Sequence, residues 1–371
     1  MSTVHVLGGD APPAAVDRIG GKGAGLQTLL AAGMRVPEAF VLCTDAYIGA
    51  LAADLRAEIE RCIADLGPRP DSRLLDETAA HVRARVVDGT GDHPAEAELC
   101  AAYRALGERI GEAEPAVAVR SSSAAEDSAD RSFAGEHDSY LWVRGPEQLS
   151  HAVRRCWASL FTARVIAYRA HAGTSTGEPD AMAVVVQRMV PARAAGVLMT
   201  LNPVTGDRSR VVVEAVWGLG EPLVSGSVTP DRFTLDKVTG DVVGREVVEK
   251  TAACVQDPAG HGITTAPVVP ERRDEPCLSD AELAELLRVG RAVERHAGCP
   301  QDAEFAVAEP GGADAVYLVQ VRPETVWAGR SRRLTTAGTP AGRSSATAAI
   351  AVRLSRPRPS PARTSNGEDP Q

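Results

Sequence analysis

Gln301-Asp302-Ala303-Glu304-Phe305-Ala306-Val307-Ala308 and Val316-Tyr317-Leu318-Val319-Gln320-Val321-Arg322-Pro323 are the two runs whose reading decides the fold. Between them lies Glu309-Pro310-Gly311-Gly312-Ala313-Asp314, a turn composition, so residues 303–308 and 315–322 read as the strands of a hairpin. Strict alternation places Leu318, Gln320 and Arg322 on one face. A turn centred near Gly311-Gly312 sets Glu304 opposite Gln320, with Arg322 one step along. A carboxylate and an amide oxygen side by side are hard donors that suit Mg²⁺ carried by a nucleotide, and a guanidinium suits its phosphates. The same residues also fit a rim hydrogen bond between Glu304 and Gln320, with Arg322 in solvent.

Working outward, Ala116-Val117-Ala118-Val119 reads as a buried strand that releases Arg120 into a hydroxyl-rich loop, opening with Ser121-Ser122-Ser123 and running to Asp138. Hydroxyls, backbone N–H groups and one guanidinium can wrap a polyphosphate; a solvated surface loop reads the same way. Gly20-Gly21-Lys22-Gly23-Ala24-Gly25 precedes a helical pattern at Leu26, Leu29 and Leu30. Glycines let N–H groups approach an anion at a helix start, and Lys22 can meet a phosphate. The pattern is neither a Walker loop nor G-x-G-x-x-G, because Gly23 follows Lys22 and Leu26 stands where a third glycine is required. A tight turn before a helix is the alternative. Gln187 is polar within a Val-rich strand, fit to bond a base edge or a neighbouring backbone. Trp217-Gly218-Leu219-Gly220-Glu221 is a turn that approaches a ligand or another backbone, with Glu214 and Glu221 as supporting acids.

The chain has 371 residues, 44% of them apolar and only 4% aromatic, so its core is built from Ala, Val and Leu. The formal charge is −9; the segment from Arg330 on is +6, so residues 1–329 carry −15. That excludes nucleic-acid binding through a basic surface. No apolar run reaches the ~18 residues of a membrane span, and the N-terminus lacks the pattern of a secretory signal. The seven scattered cysteines form no Cys-x-x-Cys pair, which argues against a thiolate zinc site and points to a reducing cytoplasm. None of the eight histidines sits where a phosphate-accepting imidazole is expected.

Helices are expected from Thr44 to about Gly111 in three segments, over 146–172 as one long helix, and from the capping box Ser279-Asp280-Ala281-Glu282 to Gly298. Strands are expected at 183–190, 196–201, 210–216, 231–237 and 241–248, and residues 254–278 read as irregular. Residues 329–371, rich in Arg, Pro and Ser, read as a disordered tail.

Taken in order, these landmarks resemble one family: the N-terminal nucleotide-binding region of phosphoenolpyruvate synthase, pyruvate phosphate dikinase and rifampicin phosphotransferase. Gly20–Leu26, Val36-Pro37, Val119-Arg120-Ser121-Ser122, Ser132-Phe133-Ala134-Gly135, Val186-Gln187-Arg188-Met189, Pro203-x-Thr205-Gly206, Trp217–Glu221, Thr229-Pro230-Asp231, Gln301-Asp302-x-Glu304 and Gln320-Val321-Arg322-Pro323 carry the resemblance, collinearly over residues 8–327. It implies an α+β, two-lobed ATP-grasp fold spanning 1–328, with lobes of approximately 1–200 and 201–328 and ATP between them. By carry-over, Lys22 and Arg120 contact phosphates, Gly135 and Ser139 lie in the loop over them, and Gln187 meets the adenine. Glu304 and Gln320 hold Mg²⁺, and Arg322 holds the transferring phosphate, which gives Lys22, Arg120 and Arg322 the catalytic roles. In this family ATP gives its β-phosphate to a histidine on a swivelling domain, releasing AMP and phosphate. That domain is then expected from a protein supplied in trans, as in phenylphosphate synthase. The alternative is a truncated or degenerate ATP-binding module without turnover. Glu136 for Gln, Asn202 for Asp, and Ala303 and Phe305 for bulkier neighbours are the departures from the family pattern.

Overall fold

A computed structural model describes residues 2–9, 12–67, 70–91, 93–123, 139–172, 181–260 and 262–327. Gly135, most of the Ser-rich segment after Ser123 and the expected tail at 329–371 lie outside these residues. In chain order the elements are β1 (Val4–Leu7), α1 (Val16–Ala31), β2 (Ala39–Leu42), α2 (Thr44–Ala50), α3 (Ala53–Ala64), α4 (Ser72–Gly89), α5 (Glu96–Ile110), β3 (Val117–Ser123), β4 (Ser139–Val143), α6 (Pro146–Ala158), α7 (Ala163–Ala172) and β5 (Met182–Arg188). They continue as β6 (Ala192–Met199), β7 (Arg210–Trp217), α8 (Glu221–Val224), β8 (Asp231–Asp236), β9 (Val242–Glu246), β10 (Ala252–Gln256), β11 (Ile263–Pro267), α9 (Asp280–Ala297), β12 (Gln301–Ala308) and β13 (Val316–Pro323). The class is α+β.

Two antiparallel sheets organise the chain. The first has the order β1-β2-β5-β3-β4, the second β13-β12-β6-β7-β8-β9. The chain passes from one to the other between Arg188 and Ala192, so β6 belongs to the second sheet although it precedes residue 200. Alternation divides each strand between two environments. Val117, Val119, Val184 and Val186 join Phe40, Leu42, Trp157 and the apolar stripes of the helices in one core. Ala39, Val41, Ala183 and Val185 face the other way, into a second core containing Ile19, Leu26 and Leu29 of α1. That second core continues into the second sheet through Leu198, Val213, Phe233 and Phe305, which α9 covers with Leu283, Leu286 and Val293.

Helix α1 is the joint between the sheets, packing on β3, β5 and β13. It starts before the expected Leu26 pattern and is kinked at Gly20, whose φ of 70° lies in the left-handed region. A Cβ there would stand 2.1 Å from the Ser122 carbonyl oxygen, and one on Gly25 would stand 2.6 Å from that of Val321. Ser122 Oγ stitches the kink, donating to the Ile19 carbonyl and accepting from the Gly23 N–H.

Three sequence expectations change. The helix expected over 146–172 breaks after Ala158, where Ser159 Oγ bonds the Cys156 carbonyl and Leu160 and Phe161 turn into the core. Residues 252–267, partly within the segment expected to be irregular, form the two-stranded β10–β11 pair, its glycines confined to the turn. Arg120 does not leave its strand, because β3 runs on through the buried Ser121, Ser122 and Ser123. The capping box of α9 is present as read.

Two predictions concern stability. Gly20→Ala should lower stability by roughly 2–4 kcal/mol, since it combines left-handed strain with a backbone clash. Gly33→Ala, with a similar φ of 71° and open space around it, should cost only about 1 kcal/mol. Denaturant melts compare the two, and equal losses would contradict the packing role. His93 is buried edge-on to Trp157 at 4.9 Å, with Nε2 3.1 Å from Glu96 Oε2. Burial pushes its pKa below the ordinary histidine value, against the opposing pull of Glu96 and with help from Arg154. The unfolded chain therefore takes up a proton near pH ~6.5 that the folded chain resists, so this stability is full above ~6.5 and falls as pH drops below it. His93→Leu should flatten the melting temperature's fall between pH 7 and 5; parallel curves would refute it.

Candidate functional site: a cation-lined junction between two sheets

The β12–β13 hairpin has the register expected from its turn, with Glu304 opposite Gln320 and Asp302 opposite Arg322. Alternation then fails by one residue. A bulge next to Glu304 pairs Phe305 with Leu318 instead of Val319. Leu318 therefore lies in the core rather than on the face of Gln320 and Arg322. The bulge also frees the Val319 carbonyl, which accepts from Arg120 Nη1 at 3.2 Å.

Arg120 projects from the middle of β3 in the first sheet and reaches three acceptors of the second. Besides Val319, its Nη2 donates to Glu304 Oε2 at 2.9 Å and to Gln320 Oε1. Its side chain is 13% exposed and that of Glu304 29%. Two hard oxygens from facing strands thus converge on one positive group. Lys22, on the first turn after the Gly20 kink, donates to the carbonyl of Ser121, next to Arg120, at 2.8 Å. Arg322 lies one step along the hairpin, its Nε 3.7 Å from Asp302 Oδ2. Ser139 opens β4 directly opposite Arg120. Lys22, Arg120, Ser139, Glu304, Gln320 and Arg322 are thereby brought to one junction.

The face bearing Glu304 continues across the second sheet through Val197 and Glu214 to Arg232. Glu214 is 1% exposed and lies 3.8 Å from Arg232 Nε. The sequence marks Glu214 only as a supporting acid and assigns no role to Asp302, the partner of Arg322. The signal for Asp302 was its position two residues before Glu304, hence on the same face. Glu221 starts α8 instead. Gly218, with φ of 73°, approaches the Cys254 carbonyl, so the Trp217–Glu221 turn serves a backbone contact, while Trp217 stacks under Arg272 and Arg193.

Gln187 lies opposite Ala118 and so shares the face of Arg120. It is 2% exposed and its Nε2 has no hydrogen-bond partner among the described residues. Around this strand end, Ala116, Ala118, Trp142, Met189 and Leu219 form a small apolar cluster. Trp142 reaches it from a second bulge, two residues of β4 standing opposite Ala118, and has φ of 57°. An apolar surface with one buried, unsatisfied amide is suited to a flat ring with a hydrogen-bonding edge. Among the described residues no three His, Cys, Asp or Glu side chains cluster at metal-binding spacing, and no helix is long and apolar enough to cross a membrane.

A strand-borne guanidinium meeting acidic and amide oxygens between two sheets, beside an apolar patch, is the kind of site that binds nucleotides. Comparison with known proteins agrees. Residues 16–339 match the pyruvate phosphate dikinase AMP/ATP-binding domain, a match that runs past residue 328, where the sequence reading ended the domain. The chain belongs to this family of ATP-binding phosphotransferase domains. It is 39% identical over 339 residues to a probable phosphoenolpyruvate synthase of Staphylothermus marinus, covering 85% of this chain and 40% of that protein. It is 36% identical over 338 residues to the phosphoenolpyruvate synthase of Aeropyrum pernix, covering 83% and 41%. A rifampicin phosphotransferase of a Streptomyces species is 41% identical over 322 residues, covering 85% and 35%. The chain thus spans about 40% of the length of these relatives.

Gln187→Leu should leave stability without nucleotide unchanged or raise it by up to about 1 kcal/mol, because it removes an unsatisfied buried donor. The same substitution should weaken ATP binding several-fold. A matched pair of thermal melts, with and without ATP, separates the two effects. A large loss of stability without ATP would mean that Gln187 serves packing alone.

Proposed function

We propose that the chain is an ATP-grasp module that binds Mg-ATP between two lobes and passes the β-phosphate to a histidine on another domain or polypeptide. AMP and phosphate are then released. The observation that carries this reading is the convergence of Arg120, Glu304 and Gln320 across the two sheets, with Lys22 and Arg322 beside it. The two lobes are those expected at approximately residues 1–200 and 201–328, with the boundary moved to the Arg188–Ala192 crossing so that each is built on one of the sheets.

Glu304 and Gln320 fit Mg²⁺, because their oxygens already converge on a single cation, the Arg120 guanidinium. The ion would supply charge neutralisation at the phosphates and complete its coordination with phosphate oxygens and water. Arg120, in the middle of β3, and Lys22, bonded to the neighbouring Ser121 carbonyl, bind the phosphate chain. Gln187 offers its Nε2 to a ring nitrogen or carbonyl of the base, over the patch formed by Ala118, Met189 and Leu219. Gly135 and Ser139 belong to the loop that covers the phosphates. Arg322, poised by Asp302, neutralises the charge that develops on the transferring phosphoryl group. With such chemistry the protein's part is positioning and charge, which matches a site made of guanidinium, ammonium and hard oxygen groups. The small-molecule acceptor belongs to chemistry beyond this domain, as do the pyruvate and antibiotic named by its relatives.

Two measurements test this reading. Incubation with Mg²⁺ and labelled ATP should yield AMP only when a protein carrying the family's histidine domain is added. ATP binding without AMP in any such pairing would favour a module that has lost turnover, and absence of nucleotide binding would defeat both readings. Arg322→Ala should reduce transfer roughly 10²–10³-fold while weakening ATP binding less than about tenfold, as expected of a group that acts on developing charge. Normal turnover in that variant would remove Arg322 from its assigned role.

A further inference from the structure

An open groove of about 520 Å³ lies at the C-terminal end of α9, lined by Arg208, Lys237, Arg291, Glu294, Arg295 and Cys299 among others. Its lining shares no residue with the junction described above. Helix α9 packs with Gly290 on Leu198, whose strand neighbour is Ala303, and so covers the face opposite to Glu304 and Gln320. Four cationic side chains meet one carboxylate there, in a body that is strongly acidic overall. Lys237 Nζ donates to Glu294 Oε2 at 2.5 Å, which closes that pair. Arg291 Nη2 donates to the backbone carbonyls of Lys237 and Val238, and among the described residues its charge meets no carboxylate. Arg208 and Arg295 are exposed and make no hydrogen bond or ion pair among the described residues. Among the described residues, these three guanidinium groups line one hollow and none of them is paired with a carboxylate. Like charges gathered this way repel, and an anion relieves that repulsion.

We propose that this groove binds a small anion carrying a phosphate or diphosphate group, independently of the nucleotide site. Planar guanidinium groups bind phosphate oxygens in pairs, which makes arginine the residue for this class of ligand. The volume lies within the range of small-molecule pockets and exceeds what a bare ion needs. The position also gives an occupant a route to the hairpin. Cys299 Sγ and the Cys299 and Pro300 carbonyls accept from Gln301 Nε2, and Gln301 opens the strand that carries Asp302 and Glu304.

Cys299 supplies the reporter. Its alkylation by iodoacetamide, followed by peptide mass mapping, should slow at least threefold in millimolar inorganic phosphate, pyrophosphate or glycerol phosphate, against sodium chloride of equal ionic strength. The half-buried Cys62 and Cys100 of α3 and α5 are internal references and should react unchanged. Comparison of the three probes distinguishes a free phosphate from a phosphorylated metabolite. The exposed pair Arg208→Ser/Arg295→Ser should abolish the protection, and Arg322→Ala should retain it. Absence of protection by all three probes overturns the proposal. So does protection that survives the double substitution or is lost in Arg322→Ala.

Discussion

The contact on which the rest of the structure depends is a single guanidinium crossing from one sheet to the other. Arg120 starts in the middle of β3 and ends on Glu304, Gln320 and the Val319 carbonyl of the β12–β13 hairpin. A largely buried charge is tolerated only when paired and hydrogen-bonded, so all three acceptors are needed to hold it there. The bulge next to Glu304 supplies one of them, since a regular ladder would engage the Val319 carbonyl with the neighbouring strand. The irregularity in the strand and the placement of the cation are therefore one feature.

Close packing sustains that contact. Helix α1 approaches both sheets through glycines, Gly20 against Ser122 and Gly25 against Val321. Side chains at either place would push the helix off, and the sheets would lose the element between them. The kink at Gly20 also sets Lys22 beside the Ser121 carbonyl, which brings a second cation to the residue next to Arg120. On the far side, Glu282 holds the hairpin turn. Burial acts to raise the pKa of this carboxyl, but the Gly312 and Ser279 N–H groups and Arg193 outweigh it and keep it below the ordinary range. One carboxylate thus caps α9 and anchors the turn between β12 and β13.

The β12–β13 hairpin is consequently tied to α9 at its turn through Glu282, and its open end follows α9 directly after the short connection 298–300. The helix lies behind the sheet and the cations in front of it. Such an arrangement makes the hairpin a rigid platform for a site whose chemistry would rest on position and charge.

Much of this was readable from local pattern. Alternation and turn composition determined the hairpin and the Glu304–Gln320 pairing, because strand geometry repeats every two residues and the glycines centre the turn. The Ser279–Glu282 capping box was equally visible, since its hydrogen bonds span three residues. Only the tertiary structure decided what depends on distant backbone. The bulge that buries Leu318, the continuation of β3 through Ser123, the left-handed Gly20 against Ser122 and the unsatisfied Gln187 amide all arise where segments far apart in the chain meet. A sequence encodes periodicity directly, whereas a close approach between remote strands exists only once both are packed.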